Sequence, residues 1–217
     1  MQLADRGTTA ADDQQMERWR AHGVSGMVLD VGCGTGWKVQ TMNQWPRTRA
    51  FGCDVETKVL SYGRKRKGDL ALVEASGNLL PFADEQFDWV IASEVIEHLE
   101  SPRIVVREAW RVLKPKGRLL LTTPNRLQYF RPWRPYMFWL AMQRRVVVDH
   151  SHAYEYSDRE LAAVLCPEFQ VHLMAYFGTL CGFPVPITAA RLPGLLRRVW
   201  AQGLECVAVK TASSPSQ

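Results

Sequence analysis

Three glycines at alternate positions in Asp30-Val31-Gly32-Cys33-Gly34-Thr35-Gly36 remove the side chains from one short stretch of chain. Such a stretch can bend sharply and let a ligand press against the main chain. Where it joins a strand to a helix, its N–H groups can also face a phosphate at the helix N-terminus. Asp30 argues against a phosphate, since a carboxylate repels a pyrophosphate and attracts a cationic ligand. A second acid, Asp54 in Gly52-Cys53-Asp54-Val55, follows about 20 residues later, where a carboxylate suits both hydroxyls of a ribose. Asp54 can instead cap the helix that follows it. The ribose reading is preferred because the glycines and the acid occur together at the expected spacing.

A second constellation is Ser93-Glu94-Val95-Ile96-Glu97-His98. On a helical turn Glu94, Glu97 and His98, three and four residues apart, project from one side. Two carboxylates and an imidazole can hold a divalent metal, or provide a general base for an acceptor hydroxyl. A structural role is the third alternative: a glutamate favoured by the helix dipole, and a histidine tying the turn to a nearby loop. Asn125, in Thr122-Thr123-Pro124-Asn125, is placed to bond a substrate or to lock the crevice, though a turn residue after proline need do neither.

These groups need a scaffold. The 217 residues, 47% hydrophobic and 23% charged, suffice for one globular domain with its own core. Five cysteines scattered at 33, 53, 166, 181 and 206, without a CxxC pair, exclude a disulfide framework and a zinc ribbon and point to a reducing compartment. The polar, acidic N-terminus lacks the apolar core of a signal peptide. No apolar run approaches the ~20 residues of a membrane span. The expectation is a cytoplasmic protein.

Apolar runs at Met27–Val31, Arg49–Cys53, Leu70–Glu74, Phe87–Ala92, Arg118–Thr122, Phe169–Phe177 and Leu204–Lys210 read as strands. Helices are expected at Ala11–His22, Trp37–Trp45, Glu56–Lys67, Pro102–Leu113 and Ser157–Leu165, the last opening on a Ser157/Glu160 capping box. The alternation implies βαβ units, a mainly parallel sheet with helices on both faces, and ligands beyond the carboxyl ends of the strands.

In order and spacing, VLDVGCGTG, GCDVE, LLPFADEQFDWVIASEVIEHL and RVLKPKGRLLLTTPN resemble the class I S-adenosylmethionine-dependent methyltransferases, in the type 11, ubiquinone-pathway O-methyltransferase-like group. The resemblance covers roughly residues 20–210. It implies a Rossmann-like, seven-stranded sheet with an antiparallel last strand, and S-adenosylmethionine as cofactor. By the resemblance, Asp30, Gly32 and Gly34 line its methionine part, with Cys33 and Gly36 in the same turn and Ser93 at the same site. Asp54 takes the ribose hydroxyls, Val55 lies against the adenine, and Gly77 offers its N–H to the ring. At Ser76 the family usually has an aspartate that accepts from the adenine amino group. A neutral serine makes a weaker bond. In ubiquinone-pathway and small-RNA 3′-end ribose methyltransferases, Glu-x-x-Glu-His is a metal site. The RNA enzymes add a second histidine from a segment similar to HAYEYS here, which makes His152 a fourth ligand beside Glu94, Glu97 and His98. Many relatives carry the same motif without a metal. The catalytic candidates are therefore His98, His152 and Glu94.

The domain is expected over 23–210, after an N-terminal helix within 1–22 and before a disordered tail at 211–217. Lid insertions are expected at about 126–151 and 182–200. Net charge is +5, and five arginines against one aspartate between Arg126 and His150 account for most of it. Six aromatics share that segment. They suit a lid over an apolar or lipid-like acceptor, and 126–148 also suits peripheral contact with an anionic bilayer. A helical hairpin that packs its own aromatics is the second reading, and stacking on nucleic acid the third, the charge excess being modest. The expected activity is methyl transfer to a small-molecule or lipid-like acceptor, at oxygen. The alternatives are a metal-dependent RNA ribose methyltransferase and a non-catalytic binding module.

Overall fold

The computed structural model describes residues 9–129, 153–178, 198 and 201–212. Residues 213–217 of the expected tail, His152 and nearly all of both expected lids lie outside these residues, while Thr211 is tied in by its N–H, which donates to Glu168 O at 3.1 Å.

Helix α1 spans Ala10–Ala21. Its N-cap is Thr9, which forms a reciprocal capping box with Asp12. The helix buries Met16 and Trp19, three residues apart. Strand β1 (Gly26–Val31) leads through the glycine turn into α2 (Trp37–Met42). That helix ends three residues before the expected Trp45. There the Asn43 side chain accepts from Ala50 N–H at 2.7 Å and turns the chain toward β2 (Thr48–Asp54). Helix α3 (Thr57–Lys67) then precedes a short β3 (Leu72–Glu74). Strand β4 spans Phe87–Ser93, α4 spans Pro102–Val112 and β5 spans Leu113–Pro124. β5 starts five residues earlier than expected. Leu113 pairs with Phe87 and Arg118 with Trp89, so Lys114 to Gly117 bulge out between them. The described chain closes with α5 (Asp158–Leu165), β6 (Phe169–Phe177) and β7 (Gly203–Lys210). The expected Ser157/Glu160 capping box is present on α5.

The seven strands stand in the order β3-β2-β1-β4-β5-β7-β6. β1 pairs in parallel with β2 and β4, and β7 runs antiparallel to both β5 and β6. The expected fold class holds, with the last strand reversed. Side chains alternate across β1: Val28 joins the core under α1, α2 and α3, and Leu29 and Val31 join the core under α4 and α5. Asp30 therefore points to the α1 side. The parallel order reverses between β1 and β4, which opens a crevice at their carboxyl ends.

Helix α1 is held on the sheet by one buried carboxylate. Glu205 of β7 accepts from Arg18 Nε at 3.3 Å and from Trp19 Nε1–H at 3.2 Å, and meets His22 Nε2 at 2.9 Å. Among the described residues no helix is long and apolar enough to cross a membrane.

Candidate active site

The glycine turn is stitched to β2 by its own main chain. Gly32 N–H and Cys33 N–H donate to Cys53 O at 2.8 and 3.0 Å. Gly32, Gly34 and Gly36 all have positive φ, at 70°, 55° and 73°. At Gly34 a side chain would meet nothing within 4 Å, so the turn faces open space there. At Gly32 a Cβ would stand 2.5 Å from Val95 Cγ2, which excludes any larger residue.

Asp54 ends β2 beside this turn. Its Oδ2 accepts from Gly34 N–H at 2.8 Å and its Oδ1 from Glu56 N–H at 3.0 Å. Both readings of Asp54 are thus compatible: the carboxylate braces the turn and the start of α3. A carboxylate has about four acceptor positions, so two still serve a vicinal diol.

Asp30 is fully buried, and neither of its oxygens has a hydrogen-bond partner among the described residues. Burial pushes its pKa up to about 6, Lys38 opposes the shift and Asp54 adds to it. An unpaired buried carboxylate is costly, and it fits a ligand that carries positive charge.

A cavity of about 360 Å³ opens between these elements. Gly32, Asp54, Val55, Ser76, Gly77, Glu94 and His98 line it, so seven of the expected site residues converge on one space. Val55 is 67% exposed at its mouth, an unusual exposure for a large apolar side chain and one suited to a flat ring. Ser76 Oγ accepts from Asn78 N–H at 3.2 Å and keeps capacity for a second bond. The glycine turn, an Asp54 carboxylate with acceptor positions to spare, the exposed apolar ledge, and the buried Asp30 carboxylate behind them fit S-adenosylmethionine.

Asp30, Cys33, Gly34, Gly36 and Ser93 are not among the side chains lining this space. The Cys33 thiol turns to the sheet, where a Cβ on Gly52 would stand 2.7 Å from its Sγ. Gly36 packs near Leu70 and Leu72. Ser93 is buried in a chain of hydrogen bonds: Gln15 Nε2 donates to Ser93 Oγ at 3.2 Å, Ser93 Oγ and Thr122 Oγ1 stand 2.9 Å apart, and Thr122 Oγ1 donates to Glu94 Oε1 at 2.9 Å.

The expectation that Glu94, Glu97 and His98 share a helical face is corrected. Glu94 is left-handed, with φ 57°, and stands before a 3-10 turn at Ile96–His98. Glu94 and His98 face the cavity, whereas Glu97 turns inward and is fully buried. Thr123 Oγ1 draws it in, donating to Glu97 Oε2 at 3.1 Å, and the Glu97 carbonyl accepts from Ala153 and Tyr154 N–H. Burial, then the nearby Glu94 charge, raises the Glu97 pKa. Its Oε1 stands 4.0 Å from His98 Nε2, beyond hydrogen-bond reach. Among the described residues no three His, Cys, Asp or Glu side chains are grouped to hold a metal ion.

Asn125 proves to be a lock. Its Nδ2 donates to Arg198 O at 3.0 Å and to Ala201 O at 2.9 Å, and its Oδ1 accepts from Leu127 N–H. Sequence reasoning did not single out Lys38, Gln15, Leu99 or Val105. Lys38 is the cation nearest in effect to Asp30, and Leu99 and Val105 wall the cavity. Only Lys38 carried a local signal, two residues past the last glycine of the turn.

Residues 29–121 match the family model described as a methyltransferase domain. The demethylmenaquinone methyltransferase of Thermotoga maritima is 30% identical over 159 residues, covering 68% of this chain and 67% of that protein. The malonyl-[acyl-carrier protein] O-methyltransferase of Hahella chejuensis is 33% identical over 99 residues, covering 44% of this chain and 36% of that one. The chain spans less than half the length of several curated relatives that it matches. A solved methyltransferase structure from Thermotoga maritima, described as a possible histamine N-methyltransferase, aligns at TM-score 0.65 over 91% of this chain and 87% of that one. At 17% identity that likeness concerns the fold alone. Cavity, topology and relatives agree: the chain belongs to the S-adenosylmethionine-dependent methyltransferases.

Proposed function

We propose that this protein transfers a methyl group from S-adenosylmethionine to an oxygen of a small apolar or lipid-like acceptor. One observation carries the reading. A single cavity has Asp54 and the glycine turn in one wall and the exposed imidazole of His98, beside Glu94, in another.

When bound, S-adenosylmethionine supplies a sulfonium methyl group that passes to the acceptor oxygen, the sulfur keeping the electron pair of the broken bond as a neutral thioether. Asp54 holds the ribose hydroxyls. Val55 and Gly77 flank the adenine, and Ser76 makes a neutral contact to its polar edge. Asp30, behind the turn, favours positive charge through its field. His98 accepts the acceptor's hydroxyl proton as the new bond forms. The remaining contribution is alignment and exclusion of water.

The curated relatives described above are named for acceptors other than nucleic acids, which supports a small or carrier-bound acceptor. The RNA reading needs a metal held by Glu94, Glu97, His98 and His152; Glu97 is buried off the cavity that Glu94 and His98 line, and His152 lies outside the described residues. Peripheral membrane contact through 126–148 belongs to the same proposal and rests on the composition of that segment.

Calorimetric titration with S-adenosylhomocysteine, followed by labelled methyl transfer to a panel of phenols and quinols, tests the reading. His98→Ala is expected to lower kcat by about 10²–10⁴-fold while leaving that affinity unchanged. Folded protein that does not bind S-adenosylhomocysteine refutes the proposal.

A further inference from the structure

A second and larger space, about 640 Å³, lies between the start of α4 and the exposed side of α5. Its walls are mostly apolar: Leu99, Pro102, Tyr154, Tyr156, Ala163 and Val164. The Tyr154 and Tyr156 rings meet edge to face with centroids 4.7 Å apart, which gives the groove an aromatic side. Leu99 lines both this groove and the cofactor cavity, and His98, one residue earlier, lines the cavity. The two spaces therefore share Leu99 as a wall, next in sequence to the group proposed as the base.

Among the described residues the polar groups of the groove are held by hydrogen bonds and ion pairs. Glu160 accepts from the Tyr154 hydroxyl at 2.8 Å and from the Ser157 hydroxyl at 2.6 Å, and Arg126 pairs with it at 2.8 Å. These partners outweigh the effect of burial and hold its pKa below the ordinary carboxylate value. Arg103 donates to the Ala163 carbonyl at 3.1 Å, and Glu100 stands on the same rim with the opposite charge. Among the described residues Glu160 is paired with Arg126, and Arg103 shares the rim with Glu100, so their charges balance. An apolar space of this volume, walled by rings and with its described charges balanced, suits neutral compounds.

We infer that the groove between α4 and α5 is the acceptor site, and that it takes a neutral, largely apolar ring compound whose nucleophilic oxygen passes Leu99 to reach His98. This rests on the methyltransferase reading above and adds where the acceptor sits, what selects it, and which residues do so.

Two probes of the same ring size separate the possibilities: 1-naphthol, neutral at pH 7.5, and 1-hydroxy-2-naphthoate, an anion. Each is titrated calorimetrically into the full chain saturated with S-adenosylhomocysteine. Ala163→Trp plugs the groove from an exposed position on α5, and Ala163→Leu is a smaller plug should the tryptophan unfold the helix. The inference expects 1-naphthol to bind the wild-type protein more tightly than the naphthoate. It expects either plug to weaken 1-naphthol about tenfold, with S-adenosylhomocysteine affinity held within about twofold. Absence of 1-naphthol binding, tighter binding of the naphthoate, or indifference to the plugs overturns it while leaving the cofactor reading intact. Failure of the wild-type protein to bind S-adenosylhomocysteine overturns the underlying reading, and the inference with it.

Discussion

Asp30→Asn removes a charge that the fold buries without a hydrogen-bond donor among the described residues. Burial lifts the Asp30 pKa from 3.8 to about 6, against the pull of Lys38. A carboxyl whose folded pKa is raised contributes stability that is fully present below its unfolded pKa and is lost as pH rises through the folded value. Between pH 4 and pH 7 the loss is about 2–3 kcal/mol, because each tenfold change in proton affinity is equivalent to about 1.4 kcal/mol. Asparagine has nearly the same shape and does not titrate. The difference in unfolding free energy, variant minus wild type, should therefore rise by about that amount from pH 4 to pH 7. Urea unfolding of both proteins in matched buffers measures it, and subtraction cancels the groups they share. A difference that stays flat with pH would mean that Asp30 is paired in solution. The electrostatic reason for assigning it to a cationic ligand would then disappear.

Glu205→Ala strips α1 of its anchor, leaving Arg18, Trp19 Nε1 and His22 without their shared acceptor. Arg18 and His22 are partly exposed and can turn to water, so the main cost is the buried Trp19 Nε1–H left without an acceptor, about 1–3 kcal/mol, read as a lower urea midpoint at unchanged slope. Gly63→Ala places a Cβ against the Thr35 carbonyl of the glycine turn, where neither backbone can yield cheaply. A loss of about 1–3 kcal/mol in stability, together with weaker S-adenosylhomocysteine binding, is the expected result, checked by urea unfolding and calorimetry.

The sheet was legible because its strands are near-continuous apolar runs closed by glycine, aspartate or threonine. The reversed β7 came from the family resemblance, not from periodicity. The boundaries that moved did so for tertiary reasons. Asn43 ends α2 by bonding Ala50 across the turn, and Lys114–Gly117 stay in β5 as a bulge opposite Asp88. The expected meeting of the glycine turn and Asp54 is found because the pairing of β1 with β2 brings Gly34 N–H to the Asp54 carboxylate. The other side of the site was not legible. Glu94, Glu97 and His98 have helical spacing, but a left-handed Glu94 and a hydroxyl from Thr123 on the neighbouring strand send Glu97 inward. Neither the strained φ nor the long-range bond leaves a mark on spacing. The groove beside Leu99 was likewise invisible, since it exists only where α4 and α5, about fifty residues apart in sequence, meet.

Asp54 as the ribose-binding group of a cofactor cavity is the claim on which the functional reading rests. The direct test is the affinity of Asp54→Ala for S-adenosylhomocysteine, measured by calorimetry on protein whose circular dichroism matches wild type. Two charge-assisted hydrogen bonds to a diol contribute about 3 kcal/mol beyond solvent, so the dissociation constant should rise about a hundredfold. Asp54→Asn, which keeps one acceptor oxygen, should fall between the two. Unchanged affinity in a folded Asp54→Ala protein would contradict that claim.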